Sequence, residues 1–200
     1  GGKRAMKMAG DELEENSDMY ALGPLIHNKQ AVEKYEERGL VTVDNISDIP
    51  NNKSVIIRSH GVSKNIYDEA NDNNLNVVDT TCPFVRKIHA IVNEFYENGF
   101  KIIIIGDKNH PEIIGINGWC NNEAVVLYTE NDEIPEKLAK SDVCIVAQTT
   151  INKKIFVQMV QILKNTCQTT IIFDTICSAT KDRQAETDIL SKESDVMLVI

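Results

Sequence analysis

Two cysteines of this chain close the same local signature. Cys82 ends Asp79-Thr80-Thr81-Cys82, and Cys177 ends Asp174-Thr175-Ile176-Cys177. Each signature follows a short β-branched run and precedes a helical pattern, and Pro83 suits a first helical position. Backbone N–H groups and the positive end of the dipole meet at a helix N-terminus, which favours thiolates as nucleophiles or as metal ligands. Polar residues stand at other strand ends too, in Ser59-His60-Gly61, Asn109-His110-Pro111-Glu112 and Gln148-Thr149-Thr150. Strand ends form the ligand crevice of parallel α/β sheets. Their shared position predicts an electropositive pocket for anions, lined by His60, Cys82, His110, Glu112, Thr149 and Cys177.

Taken singly, most of these residues have a plainer reading. Cys144 lies inside an apolar run and reads as a buried strand residue. Cys120 and Cys167 stand beside turns. His89 reads as a helix histidine, and His27 as a turn histidine after Gly23-Pro24. The chain has no CxxC pair, Walker loop or dinucleotide glycine fingerprint. Cys82 and Cys177 are too far apart for a local ferredoxin motif, so a metal site has to be assembled from separate loops.

The elements that must position these residues follow from periodicity. Strands are expected at Ser54–Arg58, Val77–Asp79, Lys101–Gly106, Val125–Tyr128, Val143–Ala147, Thr170–Phe173 and Asp195–Ile200. Val85, Ile88, Val92 and Phe95 define a helix stopped by Gly99; Ala31–Arg38 and Ile151–Lys164 define two more. Ser63 is placed to cap a further helix. Alternation of strand and helix makes the class α/β, with parallel sheets covered by helices.

The chain has 200 residues, 42% hydrophobic and 26% charged, with a formal net charge of −9. Such an acidic surface disfavours nucleic acid, and no stretch is apolar enough to span a membrane. Five cysteines at irregular spacing fit free thiols or a metal site in a reducing cytoplasm better than a disulfide framework. Both ends are abrupt, which leads to the expectation that the chain is a piece of a longer protein.

Together the motifs resemble the 4-hydroxy-3-methylbut-2-enyl diphosphate reductases of the methylerythritol phosphate route to isoprenoids. The matching segments are Ala21–Asn28, Ile57–Val62, Asp79–Pro83, His110–Glu112, Gln148–Thr150 and Thr175–Thr180 before Arg183-Gln184. The resemblance implies three αβ lobes around a pseudo-threefold axis, here residues 1–81, 82–173 and an incomplete 174–200. It implies a [4Fe–4S] cluster with Cys82 and Cys177 as ligands, and a third Cys upstream of this chain. By the same resemblance His27, His60 and His110 bind the diphosphate as imidazolium groups, Glu112 donates a proton, and Thr149 holds the substrate hydroxyl. The reaction implied is reductive dehydroxylation, with ferredoxin or flavodoxin as electron donor. That third Cys and a Ser-x-Asn loop of the family that grips the diphosphate, expected just past Ile200, both fall outside this chain, so this segment alone is expected neither to hold an intact cluster nor to turn over substrate. The alternatives are a cysteine-nucleophile enzyme using Cys82 and a non-catalytic iron–sulfur sensor.

Overall fold

The computed structural model describes residues 2–16, 18–25 and 28–198. In chain order the elements are α1 (Gly2–Glu15), β1 (Met19–Leu22), α2 (Lys29–Glu36), β2 (Val41–Val43), β3 (Ser54–Ile57), α3 (Lys64–Asp72), β4 (Asn76–Asp79) and α4 (Pro83–Glu97). They continue with β5 (Lys101–Ile105), α5 (Pro111–Asn117), β6 (Val125–Leu127), β7 (Asp142–Ala147), α6 (Lys153–Thr166), β8 (Thr169–Ile172) and α7 (Ser178–Glu193). The fold is α/β with two four-stranded sheets.

The sheets have the same order, β2-β1-β3-β4 and β6-β5-β7-β8, and every pair is parallel. The chain leaves the first central strand to one side and returns on the other. This makes β1/β3 and β5/β7 the topological switch points, where α/β sheets bind ligands. Central strands are apolar on both faces because helices cover both. Val55, Ile56 and Ile57 are fully buried in β3, as is Val143 to Ala147 in β7.

By contacts the chain forms two compact units. The first is residues 1–93 with 109–122, and the second is 94–108 with 123–200. The first core gathers Met19, Ala21, Leu25 and Ile56 on one side of its sheet and Val55, Ile57, Ala70 and Leu75 on the other. The second gathers Ile103, Ile105, Ile145, Met159 and Leu163.

Three differences from the sequence-based expectations have physical causes. The strands β1 and β2 carry little signal because they have four and three residues. Residues 195–198 of the expected strand Asp195–Ile200 form no ladder; Val196 and Leu198 are 80% and 89% exposed, and a strand requires a neighbour to pair with. Val199 and Ile200 lie outside the described residues. Ser63 does stand at the N-cap of α3 but makes no capping hydrogen bond.

Candidate functional site

The two Asp-Thr-x-Cys loops are held by one scheme, repeated in each unit. In the first unit Asp79 Oδ1 accepts from Thr81 N–H at 2.9 Å, while its other oxygen pairs with Arg86 at 3.1 Å. The Thr80 hydroxyl donates to the carbonyl of Ile57 at 2.5 Å, and Cys82 N–H donates to that of Ser59 at 2.9 Å. In the second unit Asp174 accepts from Ile176 N–H and pairs with Lys181 at 2.8 Å. Thr175 donates to the carbonyl of Ala147 at 2.6 Å and accepts its N–H at 2.8 Å, and Cys177 N–H donates to Thr149 O at 3.0 Å. The aspartate fixes the turn, the threonine ties it to the preceding central strand, and the cysteine begins the helix.

Both thiols are free and half-buried. Arg4 adds to the first loop by donating to Thr81 O at 3.2 Å. In the second, Cys177 Sγ lies 3.0 Å from the Thr180 hydroxyl.

The first unit also assembles two of the predicted histidines. The rings of His60 and His110 meet edge to face, with centroids 5.5 Å apart. His110 caps α5, and its Nδ1 accepts from Glu112 N–H at 3.1 Å. With Nδ1 engaged as an acceptor, Nε2 is the ring atom left to meet a ligand. Glu112, in the first turn of α5, is only 2% exposed. His27 lies outside the described residues.

Close packing fixes the His60 turn. Gly61 has φ +73°, and a Cβ there would stand 2.5 Å from Cε1 of His89. The carbonyl of Gly61 presses against Gly115 of α5, and Ser63 presses against Gly118. Trp119 N–H donates to Val62 O at 3.0 Å, and its ring stacks on His89 at 5.0 Å. Burial pushes His89 down to about 4 and the Tyr67 hydroxyl up to about 12. His89 Nε2 is buried without a partner.

In the second unit, Gln148 and Thr149 are buried at the end of β7. Gln148 accepts from Asp107 N–H at 3.0 Å and donates to the Thr150 hydroxyl at 3.1 Å. Gln184 of α7 donates to Ile151 O and accepts from Lys153 N–H. A cleft of about 920 Å³ between α6 and α7 is lined by Lys153, Lys181 and Arg183, but by none of the predicted site residues. Cys144 is buried as expected; Cys120 and Cys167, read as turn neighbours, are buried too, and burial pushes the Cys167 thiol up.

The first unit thus brings His60, His110 and the start of α5 together, with Cys82 bonded to the His60 turn. The second brings Thr149 and Cys177 together. Among the described residues, no three His, Cys, Asp or Glu side chains converge as a metal site. Two free thiols, each at a helix start and held by an aspartate-fixed turn, nevertheless suit thiolate ligation. The sequence reading missed Arg4, Arg58, Trp119 and the clasp made by Asp79 and Asp174. The basic residue seven positions after each aspartate was the available signal for the clasp.

The chain is similar in sequence and fold to known proteins. A curated protein of Clostridioides difficile, named 4-hydroxy-3-methylbut-2-enyl diphosphate reductase, is 56% identical over 202 residues, covering 100% of this chain and 72% of its own length. A solved (E)-4-hydroxy-3-methyl-but-2-enyl diphosphate reductase, described as the terminal enzyme of the non-mevalonate pathway, superposes with a TM-score of 0.79 at 35% identity, over 98% of this chain and 70% of its own. The corresponding reductase structure from Plasmodium falciparum gives 0.85 at 27% identity, over 96% and 62%. The family model described as LytB protein matches residues 1–200, and this chain belongs to that family.

Proposed function

We propose that this chain carries the substrate-facing part of a reductase that removes the allylic hydroxyl of 4-hydroxy-3-methylbut-2-enyl diphosphate. Two electrons and two protons enter, the C–O bond breaks, water leaves, and isopentenyl and dimethylallyl diphosphate form. Electrons come from outside, from ferredoxin or flavodoxin. Cys82 and Cys177 supply two thiolates to a [4Fe–4S] cluster. When bound, that cluster delivers electrons and offers a Lewis-acidic iron to the hydroxyl.

The observation that carries the reading is the buried Glu112 on a helix start whose capping histidine faces His60. We assign the acid's part to Glu112, which is 2% exposed in the first turn of α5 and gives a proton to the leaving oxygen. His27, His60 and His110 bind the diphosphate, His110 through Nε2. Thr149 holds the substrate hydroxyl. By this reading the lobes are 1–81 and 82–173, with 174–200 opening a third; by contacts, residues 109–122 pack with the first unit and residues 174–200 with the second. Five free thiols support a cytoplasmic setting; no helix among the described residues is long and apolar enough to cross a membrane.

The test is Glu112→Gln in the holoenzyme. It should lower kcat by about a hundredfold or more while substrate still binds, since a positioned general acid contributes about 10² to 10⁴. Turnover near the wild-type rate would remove Glu112 from the mechanism. An enzyme that is active without iron would favour the cysteine-nucleophile reading instead.

A further inference from the structure

At each switch point, the first residue past the second central strand reaches toward the loop that follows the first. In the second unit this residue is Gln148, and both ends of its amide are bonded, to Asp107 N–H and to the Thr150 hydroxyl. In the first unit it is Arg58. The repeat is in register here: Gly23 N–H donates to Val43 O after β1, as Gly106 N–H donates to Leu127 O after β5. The residue matching Asp107 is therefore Pro24, which has no N–H.

Arg58 has filled this space with a charge. Its Nη1 lies 2.8 Å from where a Cβ on Gly23 would stand, so the bare face of Gly23, at φ +68°, accommodates the guanidinium. Its Nε is buried without a hydrogen-bond partner, and it forms no ion pair among the described residues. Burial alone pulls its pKa down, with no carboxylate to hold it up. The two neighbouring arginines differ: Arg4 donates to Thr81 O, and Arg86 pairs with Asp79. Arg58 is half-buried, and a partly desolvated cation without a counter-charge is a favourable partner for an anion arriving at the crevice.

We propose that Arg58 binds the diphosphate end of the substrate at the switch point of the first sheet. The inference rests on the proposed function for the identity of the anion. Arg58 supplies permanent positive charge beside the His60 turn, because a guanidinium stays protonated. A planar guanidinium can also bond two phosphate oxygens at once.

The experiment uses the holoenzyme with Arg58→Gln, which installs the residue of the matching position, and with Arg58→Lys. Calorimetric titration with inorganic pyrophosphate is run beside steady-state kinetics. In Arg58→Gln the pyrophosphate Kd and the KM should both rise about tenfold or more, as for the loss of a charged hydrogen bond, with kcat nearly unchanged. The KM should also become less sensitive to salt. Arg58→Lys should recover part of the affinity, and it carries the test if the glutamine variant does not fold. Unchanged pyrophosphate affinity in either variant overturns the proposal, whatever happens to Tm. If pyrophosphate binding depends on Arg58 but the allylic diphosphate is not reduced, the proposed activity fails and the anion site stands. If the wild type reduces it and Arg58→Gln leaves KM and Kd unmoved, Arg58 alone fails.

Discussion

The two units solve one positional problem with different chemistry. Each must hold a cysteine loop against the turn that follows its central strand. The residue seven positions after the cysteine is His89 in the first unit and Gln184 in the second, and both face that turn. Gln184 fastens it with two hydrogen bonds, to Ile151 and Lys153. His89 fastens it by packing alone, between Trp119 and the bare Gly61, with Nε2 unpartnered. The second site is bonded and the first is packed. A packed turn tolerates little change of volume, and a bonded one tolerates little change of polarity.

Gly61→Ala should do the largest damage to this contrast. The left-handed backbone costs about 1–2 kcal/mol with a Cβ, and overpacking against His89 adds about 1–3 kcal/mol. Urea denaturation should show a loss of about 3 kcal/mol; a loss under about 1 kcal/mol would mean the turn is not tightly packed.

Acid should expose the same site next. His89 has its pKa pushed down to about 4 by burial, against 6.5 when unfolded. Below pH 6.5 the unfolded chain binds a proton that the folded chain refuses, so stability falls as pH drops from 6.5 toward 4 and levels off beneath. The full effect is on the order of 3 kcal/mol. His89→Phe should flatten that part of the stability–pH curve. An unchanged curve would assign the acid sensitivity to other groups.

The threonines test where the units agree, with a smaller effect. Thr80→Val removes one bond, to Ile57 O. Thr175→Val removes two, to Ala147 O and from Ala147 N–H. A net hydrogen bond contributes about 1 kcal/mol, so losses of about 1 and about 2 kcal/mol are expected in thermal unfolding. Equal losses would show that the second bond adds nothing.

Much of this was legible before the fold. Strand ends followed by polar residues marked both cysteine loops, and Val85, Ile88 and Val92 marked the buried side of α4. The Asp-Thr signature was visible, although its purpose, clasping strand to helix, required coordinates. The packing of residues 109–122 into the first unit was hidden, because it joins Gly115, Gly118 and Trp119 to residues some fifty positions earlier. No local periodicity encodes such a contact. The capping contact of His110 was hidden for a related reason: it depends on where one backbone N–H points. Arg58 was read only as part of a motif, because an unpaired charge is a property of its surroundings.

The interrupted make-up of the first unit bears on how the protein is synthesised. Every strand of its sheet has been translated before residues 109–122 are. Until then the turn bearing His60 has no Gly115, Gly118 or Trp119 to lean on, and His89 has nothing to stack against. A nascent chain halted short of Asn109 would hold every strand of that sheet and only half of the His60–His110 pair. The anion-facing end of the site is therefore finished late, after the strand β5 of the other unit has already been made.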